Sequence, residues 1–186
     1  MTSKRAVERE IVWSGIRTPS LDYCRVKRDR GGWRFSGMIV AKFQNDPFGA
    51  HYEILVDKAF KTRTLTVEKI DASRTIRLEI ELRNRVWMVD GKRRTDLGKC
   101  TDVDMESSPV TNTIPIRRTA LKIGERVDLS AAWVRFPSLR VEPLEQSYER
   151  ISAKKYRYRS ASGFSAELEV DNFGLVTHYG DIWKEV

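Results

Sequence analysis

Between Thr75 and Arg83 the chain alternates strictly. Ile76, Leu78, Ile80 and Leu82 are apolar, and Arg77, Glu79, Glu81 and Arg83 are charged. Successive side chains of a strand point to opposite faces, so this pattern demands one dry face and one wet face. A helix would scatter the four aliphatic residues around its axis. The same period recurs elsewhere. Phe164, Ala166, Leu168 and Val170 alternate with polar and acidic residues, and Tyr52, Ile54 and Val56 alternate with His51, Glu53 and Leu55. Turn residues punctuate these runs at Asp29–Gly32, Asn45–Gly49, Asp90-Gly91 and Asp171–Gly174. Asp90-Gly91 predicts a tight hairpin. Gly37, inside the long run from Trp33 to Phe43, suggests a bend or bulge. Counting through, about a dozen short strands follow one another with no amphipathic helix. That is the pattern of an antiparallel sandwich, barrel or roll.

A chain of 186 residues is long enough for a real core and short enough for one domain over 1–186. Residues 1–8 are polar and are expected to be disordered. With a formal net charge of +8, the chain suits anionic partners such as nucleic acid, acidic lipid or phosphorylated ligands, without choosing among them. Cys24 and Cys100, the two cysteines, have no metal or redox spacing. They leave one disulfide open, and a reduced protein is the simpler reading. The N-terminus has no apolar signal core. No run approaches the roughly 18 to 20 apolar residues of a membrane span. These features predict a cytoplasmic protein that does not insert into membranes.

The residue types are most specific from Lys99 to Arg118, K-C-T-D-V-D-M-E-S-S-P-V-T-N-T-I-P-I-R-R. Pro109 after Ser107-Ser108 reads as a corner. Thr111 to Arg118 reads as a strand, with Asn112, Ile114, Ile116 and Arg118 on one face and Thr111, Thr113, Pro115 and Arg117 on the other. Pro115 would then favour an edge or bulge. Burial of the isoleucines carries Arg118 inward, where it needs a carboxylate; Asp102 and Asp104 are the candidates. Such a corner serves either strand register or an anionic head group.

Catalysis finds little support. His51 and His178 are the only histidines, and no metalloprotease, nucleophile-elbow or phosphate-loop spacing occurs. Neither a metal nor a cofactor is expected. For nucleic acid the argument is Lys155, Arg157 and Arg159 interleaved with Tyr156 and Tyr158, plus clusters at Arg25–Arg30 and Lys92–Arg94. The tyrosines, however, fall on the face opposite the cations, which suits a core better than a stacking platform. Five tryptophans fit either a plain core or the walls of a cavity in a curved sheet.

The segment C-T-D-V-D-M-E-S-S-P-V-T-N-T-I-P-I-R-R, with A-W-V-R-F-P-S-L-R-V from Ala132, Q-S-Y from Gln146, Y-R-Y-R-S-A-S-G-F-S-A-E-L-E-V-D from Tyr156 and G-L-V-T-H-Y from Gly174, resembles a bacterial family named for glycolipid binding. The resemblance extends over nearly the whole chain. Phe60 stands where that family tends to have tryptophan, Gly180 where proline is usual, and Lys184 near an expected arginine. The resemblance implies an all-β, single-domain antiparallel spiral β-roll, a barrel-like curved sheet loosely similar to bacterial lipoprotein carriers. It further implies a glycolipid or lipid-like amphipathic ligand and no catalytic residues. The expected polar centre is Asp102, Asp104, Asn112, Arg117 and Arg118, and the expected walls are Trp87, Trp133, Tyr148 and Tyr158. The alternatives are a basic nucleic-acid-binding protein, which the tyrosine placement makes the weaker one, and an interaction module that forms a homodimer.

Overall fold

The computed structural model describes residues 7–43 and 45–186. The first half forms β1 (Val7–Gly15), β2 (Ser20–Asp29), β3 (Gly32–Phe43), β4 (Asp46–Asp57), β5 (Thr62–Ile70), β6 (Thr75–Arg83), β7 (Val86–Val89) and β8 (Lys92–Arg93). The second half begins with β9 (Asp102–Met105) and the helix α1 (Thr113–Thr119). It continues through β10 (Arg126–Val134), β11 (Val141–Arg150), β12 (Lys155–Ser160), β13 (Ser165–Val170), β14 (Val176–Tyr179) and β15 (Trp183–Glu185). Of the residues expected to be disordered, 7 and 8 belong to β1, and 1–6 lie outside the described residues.

All fifteen strands join one sheet in the order β8 to β1, then β15 to β9. Each half is thus a meander laid outward from the β1–β15 seam, so strands close in sequence pair as hairpins. The sheet curves without closing into a barrel, and β8 and β9 are its two edges. The chain crosses from one edge to the other between Arg93 and Asp102. A single 3₁₀ turn at Thr95–Leu97 lies on that path and buries Leu97 completely. The strand that follows the crossing, β9, is short for the same reason and covers only Asp102–Met105. At the crossing Trp87 Nε1 donates to the Cys100 carbonyl at 3.0 Å, and Arg94 Nη2 donates to the Val141 carbonyl at 2.8 Å.

The alternation in sequence becomes the inner face. Cys24, Gly37, Tyr52, Val67 and Leu78 form one cross-strand row, and Val26, Phe35, Ile54, Leu65 and Ile80 another. All but the glycine are buried hydrophobics. Register runs unbroken through Gly37, so it makes no bulge. Its role is space: a Cβ there would come within 2.3 Å of the Tyr52 ring and 2.4 Å of the Tyr23 carbonyl. Cys24 and Cys100 are buried free thiols.

Among the described residues one pairing is parallel, β9 with β10, and it explains the 99–118 motif. Parallel neighbours cannot be joined by a hairpin and need a crossover. The predicted Thr111–Arg118 strand is instead that crossover: a 3₁₀ turn over Pro109–Asn112 running into α1. Pro109 begins the turn, and Ser108 caps it by accepting from the Val110 amide at 3.2 Å. Pro115 falls in the first turn of α1, where its missing N–H removes no helical bond. Everything from Ser107 to Ile116 is buried. A segment covered on all sides shows no amphipathic stripe, and this is why its sequence did not read as helical.

Candidate functional site

The crossover packs against the inner face of the second half and leaves a cleft of about 270 Å³ beside it. Asp104, Met105, Ser108 and Asn112 supply one side of the cleft. Trp133 from β10, Tyr158 from β12, Phe164, and Tyr179 and Trp183 from the β14–β15 hairpin supply rings. Ser108, Asn112, Tyr158 and Trp183 are buried, whereas Ser162 is exposed, so the cleft runs from a polar buried end to an open rim.

The carboxylate of Asp104 is satisfied by neutral donors. Thr111 Oγ1 donates at 2.7 Å and Gln146 Nε2 at 2.5 Å. Burial dominates over these bonds and raises the carboxyl above the usual carboxylate range. Asn112 is held from both ends: its Nδ2 donates to the Pro109 carbonyl at 3.2 Å, and its Oδ1 accepts from the Tyr148 hydroxyl at 2.8 Å. Behind the cleft Tyr148 packs edge-on against Tyr158 at 5.2 Å, and Tyr158 meets Phe164 and Tyr179 at 6.0 Å each. Desolvation pushes the hydroxyls of Tyr148, Tyr158 and Tyr179 above the ordinary phenol value, so they stay neutral donors.

Of the nine residues expected from sequence, Asp104, Asn112, Trp133 and Tyr158 line the cleft. Tyr148 stands behind Asn112. Asp102 is buried and bound to Arg118, whose Nε reaches Oδ1 at 2.9 Å and Nη2 reaches Oδ2 at 2.5 Å. The bidentate pair expected for Arg118 is present, with Asp102 and not Asp104 as its partner. It serves to pin α1 onto β9, away from the cleft. Arg117 points elsewhere again, lying over Phe60 at 4.8 Å and Phe173 at 5.1 Å. It borders a separate groove of about 350 Å³ with Arg150 and Lys154. Trp87 is 1% exposed inside the first-half core and is not among the residues lining this cleft. Sequence reasoning passed over Ser108, Phe164, Tyr179 and Trp183. Phe164 opens an alternating run in the sequence and Tyr179 ends the G-L-V-T-H-Y segment, which was the available signal.

Two other readings meet the geometry. Along β12 the tyrosines are buried and the cations point outward, where carboxylates answer them. Lys155 meets Glu169 at 2.8 Å, Arg157 meets Glu149 at 3.1 Å, and Arg159 meets Glu149 at 3.6 Å. A strand whose cations are answered in this way offers little to a phosphate backbone. A larger surface groove of about 480 Å³ along Lys99, Arg126, Asp128 and Arg159 has no aromatic wall. Among the described residues no group of three or more His, Cys, Asp or Glu side chains is placed to hold a metal ion. No helix among them is long and apolar enough to cross a membrane.

An open, curved, all-β sheet that keeps a ring-walled cleft against its own crossover helix defines the class of protein. Residues 10–185 match the model of the family described as "Putative glycolipid-binding", and the chain belongs to that family. It is similar to a DUF1089 family protein of known crystal structure from Pseudomonas aeruginosa. The TM-score is 0.80 at 26% identity, covering 89% of this chain and 92% of that one. No curated protein matches the sequence.

Proposed function

We propose that this protein binds an amphipathic, lipid-like molecule of the glycolipid type, without covalent chemistry, in the cleft beside α1. The observation that carries the reading is the composition of that cleft. Rings of Trp133, Tyr158, Phe164, Tyr179 and Trp183 converge on Asp104, Ser108 and Asn112. Aromatic faces take apolar or sugar C–H surface, while a few fixed polar groups orient hydroxyls. The family name points the same way. At about 270 Å³ the cleft lies just under the usual range for small-molecule sites, about 300–1,000 Å³. It has room for a head group or one chain end and not for a whole two-chain lipid.

The polar end also selects by charge. Its side chains are a carboxyl, an amide and a hydroxyl, and Arg117 and Arg118 lie elsewhere. An uncharged, hydroxyl-bearing head group fits there, and a phosphate or sulfate does not. Titration with a short-chain alkyl glucoside below its micellar concentration tests the reading. Saturable change in tryptophan emission, weakened by Trp133→Ala and Asn112→Ala, is expected. Emission that stays constant with the glucoside and with natural glycolipids presented by exchange would refute it.

A further inference from the structure

We infer that the outer face of the first-half sheet docks on an anionic lipid bilayer. Among the described residues seven large apolar side chains are exposed: Ile16, Leu21, Met38, Val40, Ile70, Ile123 and Val186. Four of these share two adjacent cross-strand rows on the convex face. Ladder register places Ser14, Leu21, Val40, Gly49 and Ile70 side by side in one row. The neighbouring row is Val12, Tyr23, Met38, His51 and Glu68. Leu21 is 52% and Val40 56% exposed, in strands central to a wide sheet, where the facing pair would ordinarily be polar. A contiguous apolar patch of this kind marks an interaction surface.

Charge at the rim selects the occupant. Lys184 ends the first row beyond Ser14, and Lys42 follows Val40 by one strand period. Arg77 ends the second row beyond Glu68. All three cations are exposed; Glu68 is the single carboxylate within the two rows, while the row beyond the second carries Glu10, Glu53 and Glu79 with Arg25, so the cationic flank is the one beside Leu21 and Val40. A two-fold axis through that flank would set cation against cation. Apposed to a negative surface the flank is complementary, and the chain's +8 adds long-range attraction. Short aliphatic side chains framed by lysine and arginine are the composition of a face that sinks into a headgroup layer.

The patch lies next to the seam that leads to the cleft. Ile16, two residues beyond Ser14, donates its amide to the Ile182 carbonyl at 2.7 Å, and Ile182 and Trp183 line the cleft wall. Docking would bring that wall to the membrane, where an amphipathic molecule is found; this last step rests on the function proposed above, whereas docking itself does not.

The experiment is flotation with phosphatidylcholine vesicles, with and without phosphatidylglycerol and free of any glycosylated lipid, so an error about the cleft leaves it unmoved. Binding is expected only with phosphatidylglycerol and should fall as salt is raised. Leu21→Gln/Val40→Gln should weaken it about tenfold or more, the factor that goes with burying one such side chain. Lys42→Glu/Lys184→Glu should do the same through charge, and unfolding midpoints check that both variants stay folded. Failure of the wild type to float overturns the inference. So does binding that responds to charge reversal but not to the patch variant, which is adsorption alone. Concentration-dependent dimers dispersed by Leu21→Gln/Val40→Gln, without vesicle binding, would assign the face to a second copy instead.

Discussion

Asp22 is fully buried on the inner face of β2, and among the described residues no cation contacts it. Ser108 Oγ donates to its Oδ2 at 2.5 Å and the Tyr52 hydroxyl to its Oδ1 at 3.1 Å. These two neutral donors tie the first-half sheet to the corner that begins the crossover. Burial outweighs them and moves the carboxyl from an ordinary 3.8 up to about 7. In the unfolded chain the proton leaves near 3.8, whereas in the folded chain it stays until about 7. Between those values the folded state holds one proton more, so stability falls as pH rises across the window and levels off above it. The slope is about 1.4 kcal/mol per pH unit, giving about 4 kcal/mol in all. Asp22→Asn removes the titration and keeps the shape, since either hydroxyl can turn to accept from the amide. Urea unfolding of both proteins from pH 4 to pH 8 isolates the effect, because every other carboxylate titrates in both. The variant should gain on the wild type steadily and end about 4 kcal/mol ahead of its relative position at pH 4. A difference that does not vary with pH, or a wild type that gains with pH relative to the variant, would show that Asp22 is ionised in the fold and would refute the reasoning.

Arg118→Ala should cost about 3 kcal/mol, the lower end for breaking a buried pair, because Arg118 is itself 20% exposed and Thr101 still donates to Asp102 at 2.7 Å; denaturant unfolding measures it, and an unchanged midpoint would mean the pair contributes nothing. Gly37→Ala should destabilise by about 1–3 kcal/mol, since the new methyl meets both the Tyr52 ring and the Tyr23 carbonyl within 2.4 Å; a neutral outcome in the same assay would show that the ring and the β2 backbone both give way and would refute the close-packing argument. Asp104→Asn should change stability little at acid pH and improve it as pH rises, because burial already favours the uncharged carboxyl; thermal melts across pH check the sign. Tyr148→Phe leaves the Asn112 carbonyl oxygen without its donor and should cost about 1–3 kcal/mol, read by calorimetry.

What could be read from sequence follows from how locally each feature is determined. The Ile76–Leu82 alternation needs only the next strand to make sense, and β6 buries Leu78 and Ile80 as read. The tyrosines of β12 face inward for the same local reason. The Thr111–Arg118 segment is different: its conformation is dictated by β9 lying parallel to β10, and nothing within the segment records that. Ile114 and Ile116 are two apart and both buried, which imitates a strand face, although here they lie in the buried N-terminal half of a helix. The guanidinium–carboxylate pair survives the error, because a crossover that starts from Met105 and folds back over β9 brings Arg118 to Asp102 just as an adjacent strand would have done. Asp104 and Asn112 were legible for the same reason: they lie within that one short excursion. The rest of the cleft was not. Tyr179 and Trp183 share a cleft with Asp104 only because β15 closes the seam beside β1 while the sheet curves, a relation between residues some eighty positions apart. Alternation tells each of these rings which way to face; it is the curvature of the sheet, summed over fifteen strands, that decides whom it meets.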